Sequence, residues 1–174
     1  MEGVSRQPSW RPGVSLAEEI VAELTARKMS VAVAESLTGG LLVAELVAVP
    51  GASVVVRGGV VAYATDLKRS LLGVSAELLA AEGAVHPEVA RQMAIGVRRM
   101  LSIDTAPADI GIATTGVAGP GPQDGHPAGE AYVAIAIGDR VEVLHLQLPG
   151  SRADIRMGVV SESLSELARL LHLG

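Results

Sequence analysis

The chain has 174 residues and a net charge of −5, with 49% apolar and 19% charged side chains, one tryptophan, two tyrosines, no phenylalanine and no cysteine. This length suits one domain, the apolar share excludes disorder, and the missing thiols exclude disulfides, thiolate metal sites and cysteine nucleophiles. A balance of 14 basic against 19 acidic residues argues against nonspecific nucleic-acid binding, which draws on cationic contacts to phosphate.

Residues 1–14 carry Pro8, Pro12 and two glycines and read as a flexible leader, with Trp10 as its one candidate contact to the body. The stretch has no apolar signal core. Ser15-Leu16-Ala17-Glu18 is a capping box, and Leu16, Ile20 and Leu24 repeat at helical spacing, which predicts a helix ending near Met29. The apolar run 31–34 predicts a buried strand, and a helix follows the turn Glu35-Ser36-Leu37-Thr38-Gly39-Gly40 as far as about Val49. Pro50-Gly51 turns the chain, and 54–56 and 59–64 read as two extended segments.

Mean hydropathy is high at +0.40, and the most apolar window is 41–65. That window contains Glu45, Arg57, Pro50-Gly51 and Gly58-Gly59, so it reads as helix, turn and strand rather than as a membrane span. The expectation is a cytoplasmic chain without membrane or nucleic-acid partners.

Short helices are predicted over 66–72 and 75–81. His86-Pro87 opens another, with Val89, Met93, Val97 and Met100 as its buried face. A strand over 110–115 leads into an irregular Gly/Pro-rich loop over 116–129. The segments 131–137 and 141–148 form a strand pair turning at Gly138-Asp139. Ser151-Arg152-Ala153-Asp154 then starts a last helix buried through Ile155, Val159, Leu164, Leu167 and Leu171. Interleaved strands and helices with one hairpin predict a single-domain α/β fold over 15–174, a layered α/β/α sandwich with a mixed sheet.

The turn at 35–40 lies where α/β sheets bind ligands, beyond a strand's carboxyl end and at a helix start that offers free amides. Ser36 and Thr38 place hydroxyls there, and Gly39 and Gly40 allow close approach. By itself the pattern equally describes ordinary capping, and no known nucleophile elbow or phosphate loop is present. Among the four histidines only His126, in the glycine loop, is a candidate for a site; His86 caps a helix, His145 lies in a strand and His172 is terminal.

Lys28 ends a helix, whereas Lys68 follows a strand just after Tyr63. A Ser–Lys pair is an alternative to Ser–His–Asp, but it needs a neutral amine. At an ordinary pKa of about 10.4 under roughly 0.1% is neutral at pH 7, and at about 8 roughly a tenth is. Thr114 to Gly121 reads as a pocket wall or a long turn. Arg152 and Arg156, four apart, read as anion ligands, as partners of Asp154 or as solvated cations. No spacing fits a metal site, and neither metal nor cofactor is expected.

Several segments together resemble the C-terminal domain family of CinA, the competence/damage-inducible proteins, which includes stand-alone nicotinamide mononucleotide deamidases. They are Ala34-Glu35-Ser36-Leu37-Thr38-Gly39-Gly40, Arg57-Gly58-Gly59 with 63–68, Leu71-Leu72-Gly73-Val74, Gly83-Ala84-Val85, Met93-Ala94-Ile95-Gly96, Thr115-Gly116-Val117-Ala118-Gly119-Pro120 and Pro127-Ala128-Gly129. The resemblance covers nearly everything from Ser15 to the C-terminus.

It implies hydrolysis of the carboxamide of nicotinamide mononucleotide to nicotinate mononucleotide and ammonia, with Ser36 as nucleophile, Lys68 as base and Tyr63 assisting. Amides near Thr38 and Gly39 become candidates for the oxyanion site. Thr115, Gly116 and Arg152 become candidates for holding the nucleotide, in a site that also includes Glu35 and Gly40. A homo-oligomer is implied as well. The chain departs from the family's pattern at Leu37 (often cysteine), Thr65 (commonly asparagine), His126 (lysine nearby) and Ser151 (aspartate in Gly-Asp-Arg), and its loop over 122–127 is unusual. These departures leave Ser36 and Lys68 intact and bear on substrate choice. A catalytically silent nucleotide-binding or protein-interaction module of the same fold is the alternative, and hydrolysis of another small amide is a third reading.

Overall fold

A row of alternating side chains organises the sheet. In β1 (Val31–Glu35), Val31 and Val33 face one way and Ala32 and Ala34 the other, and all are buried. β2 (Val56–Val61) and β3 (Ile110–Gly116) flank β1 in parallel. β4 (Glu130–Ile137) and β5 (Arg140–Gln147) add an antiparallel hairpin, giving a five-stranded mixed sheet of order β2-β1-β3-β4-β5. The computed structural model describes residues 14–173, so the predicted leader apart from Val14, with Trp10, lies outside the described residues.

Helices α1 (Leu16–Arg27), α2 (Leu41–Val47) and α6 (Arg152–Leu170) cover the Val/Ile face. On the other face α5 (Pro87–Met100) packs against an Ala-rich surface, flanked by α3 (Thr65–Leu72) and α4 (Ala76–Glu82). Small residues there let backbones approach closely. A Cβ at Gly96 would run into the Leu72 carbonyl and one at Gly111 into the Ala94 carbonyl, so α3, α5 and β3 are set against one another at contact. The result is one α/β/α domain. Among the described residues no helix is long and apolar enough to cross a membrane.

The expected caps form. Ser15 with Glu18 and Ser151 with Asp154 make capping boxes, and His86 accepts from Glu88 N ahead of Pro87.

Other expectations are corrected. α1 stops at Arg27 because Lys28 turns left-handed (φ 56°). Val54 lies in a 3-10 turn, Ala52–Val54, and β2 is one continuous strand, with a register shift at Arg57 and Gly58 at φ 138°. A single bulge thus replaces the predicted break at Arg57-Gly58. Met100 is 41% exposed, because α5's buried face ends with Val97.

Candidate active site

Three parallel strands end at the same edge of the sheet. β1 delivers Ser36, β2 leads through Ala62 to Tyr63, and β3 ends at Thr115 and Gly116. The loop after β3 and the start of α6 close around them, leaving a cavity of about 350 Å³ whose lining includes Ser36, Tyr63, Lys68, Thr115, Gly119 and Arg152. A volume of this order suits a small organic ligand.

Ser36 Oγ and Lys68 Nζ are 3.0 Å apart. Ala62 N bonds to Glu35 O at 2.8 Å, extending the sheet by one residue, and its carbonyl accepts from Lys68 Nζ at 2.8 Å. α3 then folds back so that Lys68 lines the cavity, with 1% of its surface exposed. Burial lowers the Lys68 pKa from 10.5 to about 8, since the charged form loses its hydration. Among the described residues Lys68 forms no ion pair. At pH 7 a pKa of about 8 leaves roughly a tenth of the amine neutral, with a lone pair to accept the serine proton.

The remaining expected residues divide. Thr115 and Gly116 line the cavity, and Thr115 Oγ1 donates to Ala84 O at 2.7 Å, pinning the segment before α5 to the wall. Arg152 lines it too, donating to Gly119 O at 2.8 Å and to Tyr63 Oη at 3.1 Å. Tyr63 is 61% exposed and sits at the rim. Thr65, the first residue of α3, also lines the cavity, while Ser151 caps α6.

Glu35, Thr38, Gly39 and Gly40 do not line it. The Glu35 carboxylate accepts from Gly40 N (2.9 Å), Leu42 N (3.1 Å) and Val43 N (2.8 Å), so it holds the start of α2. Thr38 Oγ1 and Thr114 Oγ1 share a buried hydrogen bond of 2.8 Å. Gly39 N donates to Ser36 O at 3.1 Å, which removes it from the candidate oxyanion donors. Gly39 (φ 61°) and Gly40 (φ 97°) supply the left-handed backbone that carries β1 into α2.

His126 is also outside the cavity lining: its Nδ1 lies 3.0 Å from Glu130 Oε2. Burial works against the Glu130 charge, yet hydrogen bonds from His126, Tyr132 and His145 outweigh it and hold the carboxyl below its usual range.

Sequence reasoning missed one contributor and gave two others a different role. The Ala62 carbonyl has no side-chain signature. Thr114 faces away from the cavity, next to a residue that faces into it. Arg156 bonds to Leu37 O and Thr38 O rather than to an anion, Asp154 or water. Among the described residues no three His, Asp or Glu side chains converge on a metal-sized site.

A family model described as the CinA C-terminal domain matches residues 14–171. A CinA-like protein of Frankia casuarinae is 46% identical over 157 residues, covering 90% of this chain and 35% of that protein. A CinA-like protein of Gemmatimonas aurantiaca is 43% identical over 155 residues, covering 88% of this chain and 35% of its own length. The chain thus spans about a third of the length of the curated relatives it matches. Among solved structures, the competence/damage inducible protein CihA from Agrobacterium tumefaciens superposes with a TM-score of 0.81 at 35% identity, covering 89% of this chain and 93% of that one. A competence or damage-inducible protein from Enterobacter asburiae reaches 0.85 at 31% identity, covering 90% and 96%.

Proposed function

The chain belongs to the CinA C-terminal domain family, and from that premise we propose that it is a metal-independent amidohydrolase that converts nicotinamide mononucleotide to nicotinate mononucleotide and ammonia. One observation carries the reading: a serine hydroxyl 3.0 Å from a buried lysine amine whose pKa is lowered to about 8, inside a ligand-sized cavity.

Neutral Lys68 takes the Oγ proton as Ser36 adds to the amide carbon. The tetrahedral intermediate collapses by breaking the C–N bond, and the proton held on Lys68 passes to the departing nitrogen, which leaves as ammonia. Water then adds to the acyl-serine, losing its proton to Lys68, and Ser36 Oγ recovers that proton as the nicotinate product leaves. The Ala62 carbonyl keeps the amine aimed at Oγ through the cycle. Arg152, fixed by Gly119 O and Tyr63 Oη at the mouth, offers a cation to the nucleotide phosphate. Thr115 and Gly116 form part of the wall.

The same reading makes the protein a cytoplasmic homo-oligomer acting in pyridine-nucleotide recycling. Val54, Val61, Leu67 and Leu71 are exposed around β2, an edge strand of the sheet, and sedimentation velocity tests the assembly.

The direct test measures ammonia and nicotinate mononucleotide from nicotinamide mononucleotide with wild type, Ser36→Ala and Lys68→Ala. Product from wild type and loss of turnover by at least about 10³-fold in each variant are expected. Saturable nucleotide binding by wild type without product would replace this reading with a silent binding module.

A further inference from the structure

The turn that carries Ser36 has a specific set of committed and free amides. Ser36 N donates to Thr114 O at 3.0 Å, Gly39 N to Ser36 O at 3.1 Å and Gly40 N to Glu35 Oε2 at 2.9 Å. The amides of Leu37 and Thr38 meet no acceptor among the described residues, although both residues are buried. Buried donors without partners are rare in folded proteins and call for an explanation. Leu37 lines the cavity beside Ser36, whereas Thr38, next in the chain, lies outside the lining with its hydroxyl bonded to Thr114 Oγ1, so only its backbone N–H is available to the site.

Arg156 lies under this turn. Its Nε donates to Leu37 O at 2.9 Å and its Nη2 to Thr38 O at 2.8 Å, and among the described residues it forms no ion pair. The guanidinium lies against Gly39, where a Cβ would be 3.2 Å from Nη2. In a trans peptide the N–H points opposite to the C=O. Drawing the Leu37 carbonyl onto the guanidinium therefore aims the Thr38 N–H away from it. A cation bonded to a carbonyl also polarises that peptide and strengthens the donor at its other end.

We propose that Arg156 is a positioning residue that shapes the turn into an oxyanion site, with the amides of Leu37 and Thr38 as donors to the tetrahedral intermediate formed on Ser36. This rests on the reading of Ser36 as a nucleophile. It assigns the neighbouring arginines different tasks: Arg152 faces the ligand, and Arg156 acts only through the backbone. A planar fork suits that task, because two carbonyls on successive residues need two donors held at a fixed spacing.

The test compares wild type, Arg156→Lys and Arg156→Gln on nicotinamide mononucleotide and on its thioamide analogue, whose sulfur accepts hydrogen bonds poorly. R156Q is expected to lower kcat by about 10²-fold with KM little changed, as for loss of an interaction made only in the transition state. The oxo-to-thio rate ratio should fall with it, and R156K should lie between wild type and R156Q. The ratio is taken within one sample, so it is independent of the folded fraction. A lower kcat with an unchanged ratio would reduce Arg156 to a structural anchor and overturn the proposal.

p-Nitrophenyl acetate separates this inference from the reading beneath it. Wild type that forms acyl-Ser36 from the ester, read by mass spectrometry, but releases no ammonia from the nucleotide overturns the substrate assignment. The rates of ester acylation then decide on Arg156, with a fall in R156Q expected and equal rates overturning it. No acylation from either compound removes the nucleophile and this inference together.

Discussion

Two buried ionisable side chains adjoin Ser36, each 1% exposed: Glu35 precedes it in the chain, Lys68 meets it across the fold, and their surroundings differ in kind. Glu35 receives three backbone amides at the start of α2. Lys68 receives one carbonyl and one hydroxyl, and no carboxylate. Both oxygens of the glutamate are engaged in holding a helix to a strand. The amine is short of partners, so its charge is expensive and its proton is available for exchange. Burial alone thus does not distinguish a structural ion from a reactive one; the complement of hydrogen bonds does.

The largest effect expected from this contrast is on activity. Lys68→Met fills the same volume without the amine and should lower kcat/KM for the proposed reaction by about 10³-fold or more. Thermal stability at pH 7 should stay level or rise, because a poorly compensated buried charge is replaced by an apolar chain. A melting temperature that falls along with activity would put Lys68 in the same structural class as Glu35.

The next effect is on pH dependence. The folded pKa of Lys68, about 8, lies below the 10.5 of the free side chain, so between these values the unfolded chain binds more protons than the folded one. Stability should therefore rise with pH across that window, by about 3 kcal/mol in total, and the handicap should be fully present below pH 8. Urea unfolding of wild type and Lys68→Met from pH 7.5 to 10.5 isolates this contribution, since only wild type has the slope. The same ionisation should make kcat/KM rise to a plateau with an apparent pKa near 8. A flat difference between the two proteins would mean that the amine titrates as an ordinary lysine.

The smallest effect concerns Glu35. Glu35→Gln keeps the shape but turns an NH₂ group toward backbone N–H donors, which should cost about 2 kcal/mol in denaturant unfolding. Activity per folded molecule should fall far less than in Lys68→Met. A loss of turnover equal to that of Lys68→Met, at unchanged stability, would return Glu35 to the list of substrate-binding groups.

The sequence does hold a signal for the role of Glu35. Alternation along β1 puts it on the same face as Val31 and Val33, the face over which α2 packs, so its carboxylate is directed toward a helix start. The caps at Ser15, His86 and Ser151 were readable because they join residues no more than three positions apart. Arg156 was not readable in the same way, since an arginine on the first turns of an amphipathic helix looks alike whether it meets solvent, an anion or a distant carbonyl. The break predicted within β2 failed because a paired neighbour accommodates Gly58 as a bulge, which no local pattern around Gly58-Gly59 reveals.

By itself the sequence determined the helix starts, the buried strands, the layered α/β class and, through its family motifs, the pairing of Ser36 with Lys68 as an expectation. These follow from contacts along one turn or one strand and from the spacing of apolar side chains. Tertiary structure decided the lysine's lowered pKa, the commitment of Glu35 to α2, the separation of His126 from the cavity and the seat of Arg156 beneath the turn. Desolvation and hydrogen-bond supply depend on groups brought in from β2, α3 and α6, and the packing of small residues between α3, α5 and β3 is what seats α3 close enough to act.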